Sequence, residues 1–255
     1  MWFLAALALA LVLAPVGVLI ARGVTRADIG AALTSPFVRG AVQLSLVTSA
    51  VAVLAIVALG TPTAYLLARR RFPGRALVDA VIDVPIVLPP VVGGLALLLL
   101  LGRQGPVGGP LSGAGIDVAF TTAAVVLAQM FVAAPFYIRA ARAGFESVDQ
   151  RLEAVSSTLG ARPWRTFRRI TVPLALPSLA GGAVLAWARA LGEFGATIMF
   201  AGNVAGRTQT MPLAILEAME ADANAAIAIA VVLAAIALAV LIAFRGLARA
   251  GSRAL

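Results

Sequence analysis

Residues 223–244 read ANAAIAIAVVLAAIALAVLIAF, a run without one charged side chain. A hydrocarbon core of about 30 Å is crossed by about 20 residues of α-helix, so this run has the length and polarity of a membrane span. Lipid offers the backbone no hydrogen-bond partners, and a helix satisfies its own. Five further runs share the character: roughly Trp2 to Ala21, Ala41 to Ala68, Val84 to Leu101, Phe120 to Ile138 and Leu174 to Phe200. Composition agrees, with 62% of the 255 residues hydrophobic and only 12% charged. The expected fold class is all-α integral membrane: six transmembrane helices in a single domain over residues 1–255.

The arginines orient it. All 20 basic residues are arginine, against 11 acidic ones, for a net charge of +9. With the N-terminus inside, the inner loops hold Arg69, Arg70, Arg71 and Arg75, seven arginines from Arg139 to Arg169, and Arg245, Arg249 and Arg253. The outer loops hold Arg22, Arg26, Arg39, Arg103 and Arg207, and Arg189 lies within a span. This asymmetry predicts that both termini are cytoplasmic. The first run is apolar almost from Met1 and has no basic leader, which reads as a retained helix rather than a signal peptide, with a kink at Pro15. Because the arginines cluster between apolar segments, no soluble domain is left to carry nucleic-acid binding.

Missing residue types narrow the chemistry. The chain has no cysteine, histidine or lysine. That removes disulfides, thiolate and imidazole metal ligands, and Ser-His or Cys-His nucleophiles. A phosphate-binding loop of the G-x-x-x-x-G-K-[ST] type needs a lysine, so any ATP that drives this chain is hydrolysed by a partner.

Helix breakers recur at membrane depth. Gly60-Thr61-Pro62 interrupts the second run, and Pro85, Pro89, Pro90, Gly93 and Gly94 crowd the start of the third. These are packing kinks or the lining of a pathway. No inverted repeat is visible.

The longest polar stretch, Arg139 to Pro173, is ordered. Ser147-Val148-Asp149-Gln150 reads as a capping box that starts a helix. Val148, Leu152, Val155 and Leu159 then recur at spacings of 4, 3 and 4 on one face, and Gly160 suits a left-handed C-terminal cap. Pro163 opens a second helix with Trp164, Phe167 and Ile170 along one side, closed by Pro173. The pair is an amphipathic hairpin on lipid headgroups or a dock for a partner.

Gly160, nine residues, then Ile170-Thr171-Val172-Pro173 resembles the E-A-A-x-x-x-G-x9-I-x-L-P loop of the membrane subunits of bacterial ATP-binding-cassette importers. Where that pattern has its glutamate this chain has Ala154, and Glu153 stands one position earlier. The resemblance implies a coupling helix that sits in a groove of an ATPase subunit, carried by Leu152, Glu153, Ala154, Val155, Leu159, Gly160, Ile170 and Pro173.

Three further strings are similar to one branch, the molybdate permeases, with tungstate and sulfate permeases as relatives. They are Phe131 to Tyr137 (FVAAPFY), Ala190 to Thr197 (ALGEFGAT), and Gly202-Asn203 with Gly206 to Pro212 (GRTQTMP). The branch residues are Gly192, Phe194, Gly195, Gly202, Asn203, Thr208, Thr210 and Pro212, and the likeness runs from about Gly40 to Phe244. It implies a multi-pass bacterial inner-membrane permease working as a homodimer, with two ATPase subunits that bind ATP and Mg and an extracytoplasmic oxyanion-binding protein. No cofactor is expected in this chain, nor catalysis by it alone.

Arg189 and Glu193 lie four residues apart in the fifth run and share a helical face where they can pair. They form a structural ion pair, or Arg189 attracts a passing dianion while Glu193 keeps it from becoming a trap. A gradient-driven transporter with Glu193 as proton carrier is the alternative of another class, and the ordered polar loop argues against it. An intramembrane enzyme lacks its nucleophile and base.

Overall fold

The computed structural model describes residues 1–26 and 29–251. Arg253 lies outside the described residues, as do the side chains of Arg26, Arg245 and Arg249. Among the described residues every regular element is a helix and there is no strand. In order it forms α1 (Trp2–Arg26), α2 (Ile29–Thr34), α3 (Pro36–Arg69), α4 (Arg75–Val87), α5 (Pro90–Leu101), α6 (Gly108–Gly113) and α7 (Thr122–Ser147). There follow α8 (Gln150–Thr158), α9 (Pro163–Thr166), a π turn (Phe167–Thr171), α10 (Val172–Leu191), α11 (Gly195–Ala201), α12 (Met211–Ala221) and α13 (Ala223–Gly251).

Five stretches are long and apolar enough to cross a membrane: Trp2–Thr25, Pro36–Arg69, Thr122–Ser147, Pro163–Leu191 and Ala223–Ala243. The run expected as a third straight span is instead the pair α4 and α5, bent by 114°. The cause is local. Pro89 and Pro90 follow Leu88 directly, and a residue before proline is pushed out of the α region; Leu88 sits extended at φ −68°, ψ 134°. Pro90 then serves as the first residue of α5, where its missing N–H costs nothing.

Gly60-Thr61-Pro62 does not interrupt α3, which runs through it. The Thr61 hydroxyl stays in the helix by donating to the Val57 carbonyl at 2.6 Å. Gly60 is needed for packing: a Cβ there would stand 2.9 Å from Tyr137 Cδ1. The fourth span likewise continues past Ile138 to Ser147, and the fifth ends at Leu191 rather than Phe200.

Pro173 was expected to close a helix, but the chain passes through it. The Val172 N–H reaches back five residues to the Phe167 carbonyl, and this wide turn gives the proline ring room that a regular α-turn denies it. The second helix of the polar loop is thus the start of the next span.

Two compact units divide the chain: Met1–Leu46 with Gly202–Ala239, and Val47–Ala201 with the end of the chain from Val240. In the first, Val38 and Ala41 pack with Met211, Ala214, Ala218, Ala226 and Ile229, and Ser45 Oγ accepts from the Met211 N–H at 2.7 Å. In the second, α7 and α10 meet through Ala133, Tyr137, Ala141, Phe145, Ala175, Leu179 and Ala186. Small residues let the backbones approach as they do between helices in lipid. A Cβ on Gly144 would lie 2.5 Å from Ser178 Cβ, and one on Gly182 would lie 2.8 Å from Ala140 Cβ.

Candidate functional site

The loop between α7 and α10 carries most of the residues singled out by sequence. The capping box does not form. Ser147 belongs to the last turn of α7, its hydroxyl donating to the Gly144 carbonyl at 2.8 Å, and Asp149 caps α8 by accepting from the Arg151 N–H at 2.9 Å. At the other end Gly160 takes φ +79°. The Gly160 N–H bonds the Ser157 carbonyl and the Ala161 N–H bonds the Ser156 carbonyl, at 3.0 and 3.1 Å, the paired bonds of a Schellman cap.

Between these caps the apolar face points outward. Leu152, Val155 and Leu159 are exposed, Leu159 at 83%, whereas Val148, expected on the same face, precedes α8 and is buried. With Gly160, Arg165 and Ile170 they border an open cleft of about 470 Å³. The polar groups of the loop turn inward instead: Ser156 Oγ meets Thr166 Oγ1 at 2.9 Å.

Glu153 explains its own displacement from the family pattern. One position on a helix is a step of about 100°, so Glu153 shares the inner side with Ser156 while Ala154 is exposed. Glu153 Oε1 accepts from Arg69 Nη2 at 2.8 Å and from Thr171 Oγ1 at 2.7 Å, and the same Arg69 nitrogen donates to the Val148 carbonyl at 3.2 Å. The end of α3, the start of α8 and the π turn meet at this bond set, with only 8% of the Arg69 side chain and 18% of Glu153 exposed. Beside it Phe167 packs edge-on to Tyr65 at 4.8 Å and stacks with Trp164 at 5.5 Å. Arg69 was legible in the sequence only as a topology signal, since its partner lies 84 positions away. Pro173 and Ile170 belong to the start of the following span.

Arg189 and Glu193 do pair, at 2.8 Å between Nη2 and Oε2, though not within one helix. Helix α10 stops with Gly192 as its C-cap, and Glu193 Oε1 then caps the restart by accepting from the Ala196 N–H at 2.8 Å. Glu193 is 1% exposed and Arg189 28%. The restart fits tightly against α5: a Cβ on Gly94 would stand 2.6 Å from the Ala196 carbonyl oxygen, and one on Gly195 would stand 3.1 Å from Val91 N. Phe194 remains partly exposed.

In the other unit Gly202 turns the chain at φ +74° and Thr208 closes the loop, accepting from the Val204 N–H at 2.9 Å and donating to the Gly202 carbonyl at 3.3 Å. Asn203 and Gln209 both donate their amide N–H groups to Glu217 Oε2, the former at 3.0 Å. Glu217 was missed, because nothing in its local pattern marks it. Thr210 precedes α12 with a buried hydroxyl that has no hydrogen-bond partner among the described residues, and Pro212 sits in that helix's first turn. Among the described residues no group of three or more His, Cys, Asp or Glu converges as metal ligands would.

A family profile described as "Binding-protein-dependent transport system inner membrane component" matches residues 60–250. The molybdenum transport system permease protein ModB of Mycobacterium tuberculosis is 46% identical over 205 residues, 80% of this chain and 77% of that one. Its counterpart in Escherichia coli is 49% identical over 176 residues, 69% of this chain and 77% of that one. A bacterial alginate ABC transporter, solved in complex with an alginate pentasaccharide-bound periplasmic protein, superposes with a TM-score of 0.73 at 19% identity, over 97% of this chain and 94% of that one. That last likeness speaks for the fold.

Proposed function

Since this chain belongs to the family of binding-protein-dependent transport system inner membrane components, we propose that it forms the translocation pathway for molybdate in an ATP-driven importer. It is a multi-pass inner-membrane permease subunit and not itself the ATPase, in keeping with the missing lysine. The observation that carries molybdate is the 46% to 49% identity to permeases named for molybdenum transport, over 69% or more of the chain.

The chain works as one permease domain, paired with a second copy and with two ATPase subunits, both termini in the cytoplasm. The arginine distribution supports that orientation. The outward Leu152, Val155 and Leu159, held between two completed caps, support docking of α8 to the ATPase, with Gly160 setting the turn and Glu153 and Ala154 on its flanks. An oxyanion-binding protein delivers substrate from outside. Tetrahedral dianions suit capture by hydrogen-bond donors rather than by full charge neutralisation, which would oppose release. Burial and capping by Glu193 favour the structural reading of its pair with Arg189. Tungstate and sulfate are the alternative cargoes.

The test is reconstitution of the permease with its ATPase and binding protein in vesicles. Labelled molybdate should accumulate in the lumen that faces the ATPase only when ATP and binding protein are both present, ahead of tungstate and sulfate. Sulfate uptake without molybdate uptake would replace the substrate, and gradient-driven uptake without ATP would replace the mechanism.

A further inference from the structure

A basic surface of the second unit lies where α3 ends and α4 begins. Arg69, Arg70, Arg71 and Arg75, with Glu146 and Gln150, line an open cleft of about 640 Å³. Glu146 is the one carboxylate among those lining residues, and two of the four guanidinium groups are already paired. Arg69 is committed to Glu153 and the Val148 carbonyl, and Arg75 faces Glu146 at 3.3 Å and Asp79 at 4.0 Å. Arg70 and Arg71 are exposed, and among the described residues neither side chain has a carboxylate or other hydrogen-bond acceptor. A guanidinium fork presents two parallel N–H donors that match the oxygens of a phosphate, and Arg70 and Arg71 bring two such groups to the cleft.

What leads away from this cleft is apolar. Leu59, Thr63 and Leu66 recur at spacings of 4 and 3 along one side of α3, which ends one residue before Arg70, and both leucines are exposed. Thr63 does not break the stripe, because its hydroxyl folds back to the Leu59 carbonyl at 2.9 Å. Helix α4 repeats the arrangement from the far side of the turn. Asp79 pairs with Arg142 of α7 at 2.6 Å, Asp83 pairs with Arg139 of α7, and no residue of α4 is buried. Its opposite side presents exposed Leu77 and Val81. Two outward apolar strips thus rise from one arginine turn, on helices of a membrane-spanning chain.

We propose that this cleft binds the phosphodiester headgroup of an anionic phospholipid, with Arg70 and Arg71 on the phosphate and the acyl chains along Leu59 and Leu66. A free phosphate would satisfy the arginines and leave the strips without a role. The charge excess selects an anionic over a zwitterionic lipid, and the strips select a lipid over a soluble anion.

The experiment titrates phosphatidylglycerol onto the detergent-purified permease and onto its complex with the ATPase subunit, counting bound lipids by native mass spectrometry. Wild type should retain phosphatidylglycerol and not phosphatidylcholine. The double variant Arg70→Gln with Arg71→Gln should bind it about tenfold or more weakly, the order expected for two near-surface arginines. Arg103→Gln, which removes a distant exposed arginine, should bind as wild type does. Retention on the wild type should also fall steeply with salt, a reading that needs no variant. Equal binding by wild type and the double variant overturns the site. Displacement by inorganic phosphate at the lipid's own affinity makes it a free-anion site and overturns the lipid. Exclusion of lipid by the ATPase subunit, with loss of that subunit from the double variant, makes it a protein contact and also overturns it.

Discussion

The α8 turn and the Leu191–Gly195 break are both places where a helix stops and another starts within a few residues, and they resolve it in opposite ways. At α8 the polar groups turn inward: Asp149 caps, Ser156 meets Thr166, Glu153 meets Arg69 and Thr171, while the leucines and valine face out. At Gly192 the apolar residues pack and the charged one goes inside, Glu193 serving at once as cap and as partner of Arg189. A surface with its hydrogen bonds closed and its apolar side open suits the docking proposed for α8. A buried carboxylate with two jobs holds its own chain together. Damage to the first should cost association, and damage to the second should cost folding.

The sharpest contrast comes from Glu193→Ala, which leaves the Ala196 N–H and the Arg189 guanidinium unpaired together. Breaking a buried pair costs about 3 to 5 kcal/mol, and partial exposure of Arg189 puts this one near the low end. Thermal unfolding of the purified protein should show the loss. Arg189→Met combined with Glu193→Gln removes both charges and keeps a capping oxygen, so it should recover most of the stability. Under the structural reading that double variant should assemble, hydrolyse ATP and take up substrate as wild type does; a stable double variant that transports poorly would give Arg189 a part in the pathway instead. A double variant no more stable than Glu193→Ala would break the comparison.

Gly160→Val tests the other side. No atom lies within 4 Å of the added Cβ, so the cost is backbone strain at φ +79°, about 1 to 2 kcal/mol. The spans should melt as in wild type, while ATPase association weakens about tenfold. Wild-type transport by this variant would remove coupling through the turn.

A smaller effect is expected from Arg69→Ala. Glu153 keeps Thr171 as its donor, and α8 loses its tie to the end of α3. Amide exchange across residues 150–158 should quicken several-fold, consistent with the loss of about 1 to 2 kcal/mol from a charge-assisted bond. Arg69→Lys should recover part of it. Unchanged exchange would mean that the packing of Phe167 and Tyr65 alone seats α8.

The smallest concerns Asp117, in the loop after α6. Hydrogen bonds from Arg103 first, then Ser112, hold its carboxyl below the ordinary value. A depressed carboxyl contributes stability that is present above its unfolded pKa and lost as pH falls through the lower folded value. Because the group is exposed, the gain is slight. Asp117→Asn should lower stability slightly and evenly above about pH 4 and flatten the decline below it, and an acid decline as steep as in wild type would contradict the assignment.

Much of the molecule was readable in advance. The span at Ala223, the exposed face of α8 and the left-handed glycine at 160 rest on composition, on periods of 3.6 residues and on one backbone preference, all of them properties of a few neighbouring residues. Errors gathered where two local signals competed. Ser147 and Asp149 both offered a cap, and the continuation of α7 through Ser147 left the role to Asp149. Pro62 and Pro173 both looked like stops, and only Pro89 with Pro90 acted as one.

The sequence by itself determined that this chain is helical and embedded in lipid, because a membrane leaves an apolar run no other way to satisfy its backbone. It also determined that ATP chemistry lies elsewhere and which face of α8 is apolar. Tertiary structure decided which charges meet. Arg69 with Glu153, and Asn203 and Gln209 with Glu217, join positions far apart along the chain or on different elements. It also decided that α10 ends at Gly192 and that the restarted helix packs so closely on α5 that only glycine fits at position 94. Local preference is carried by neighbours in sequence, whereas pairing and close packing depend on distances that exist only once the helices have assembled.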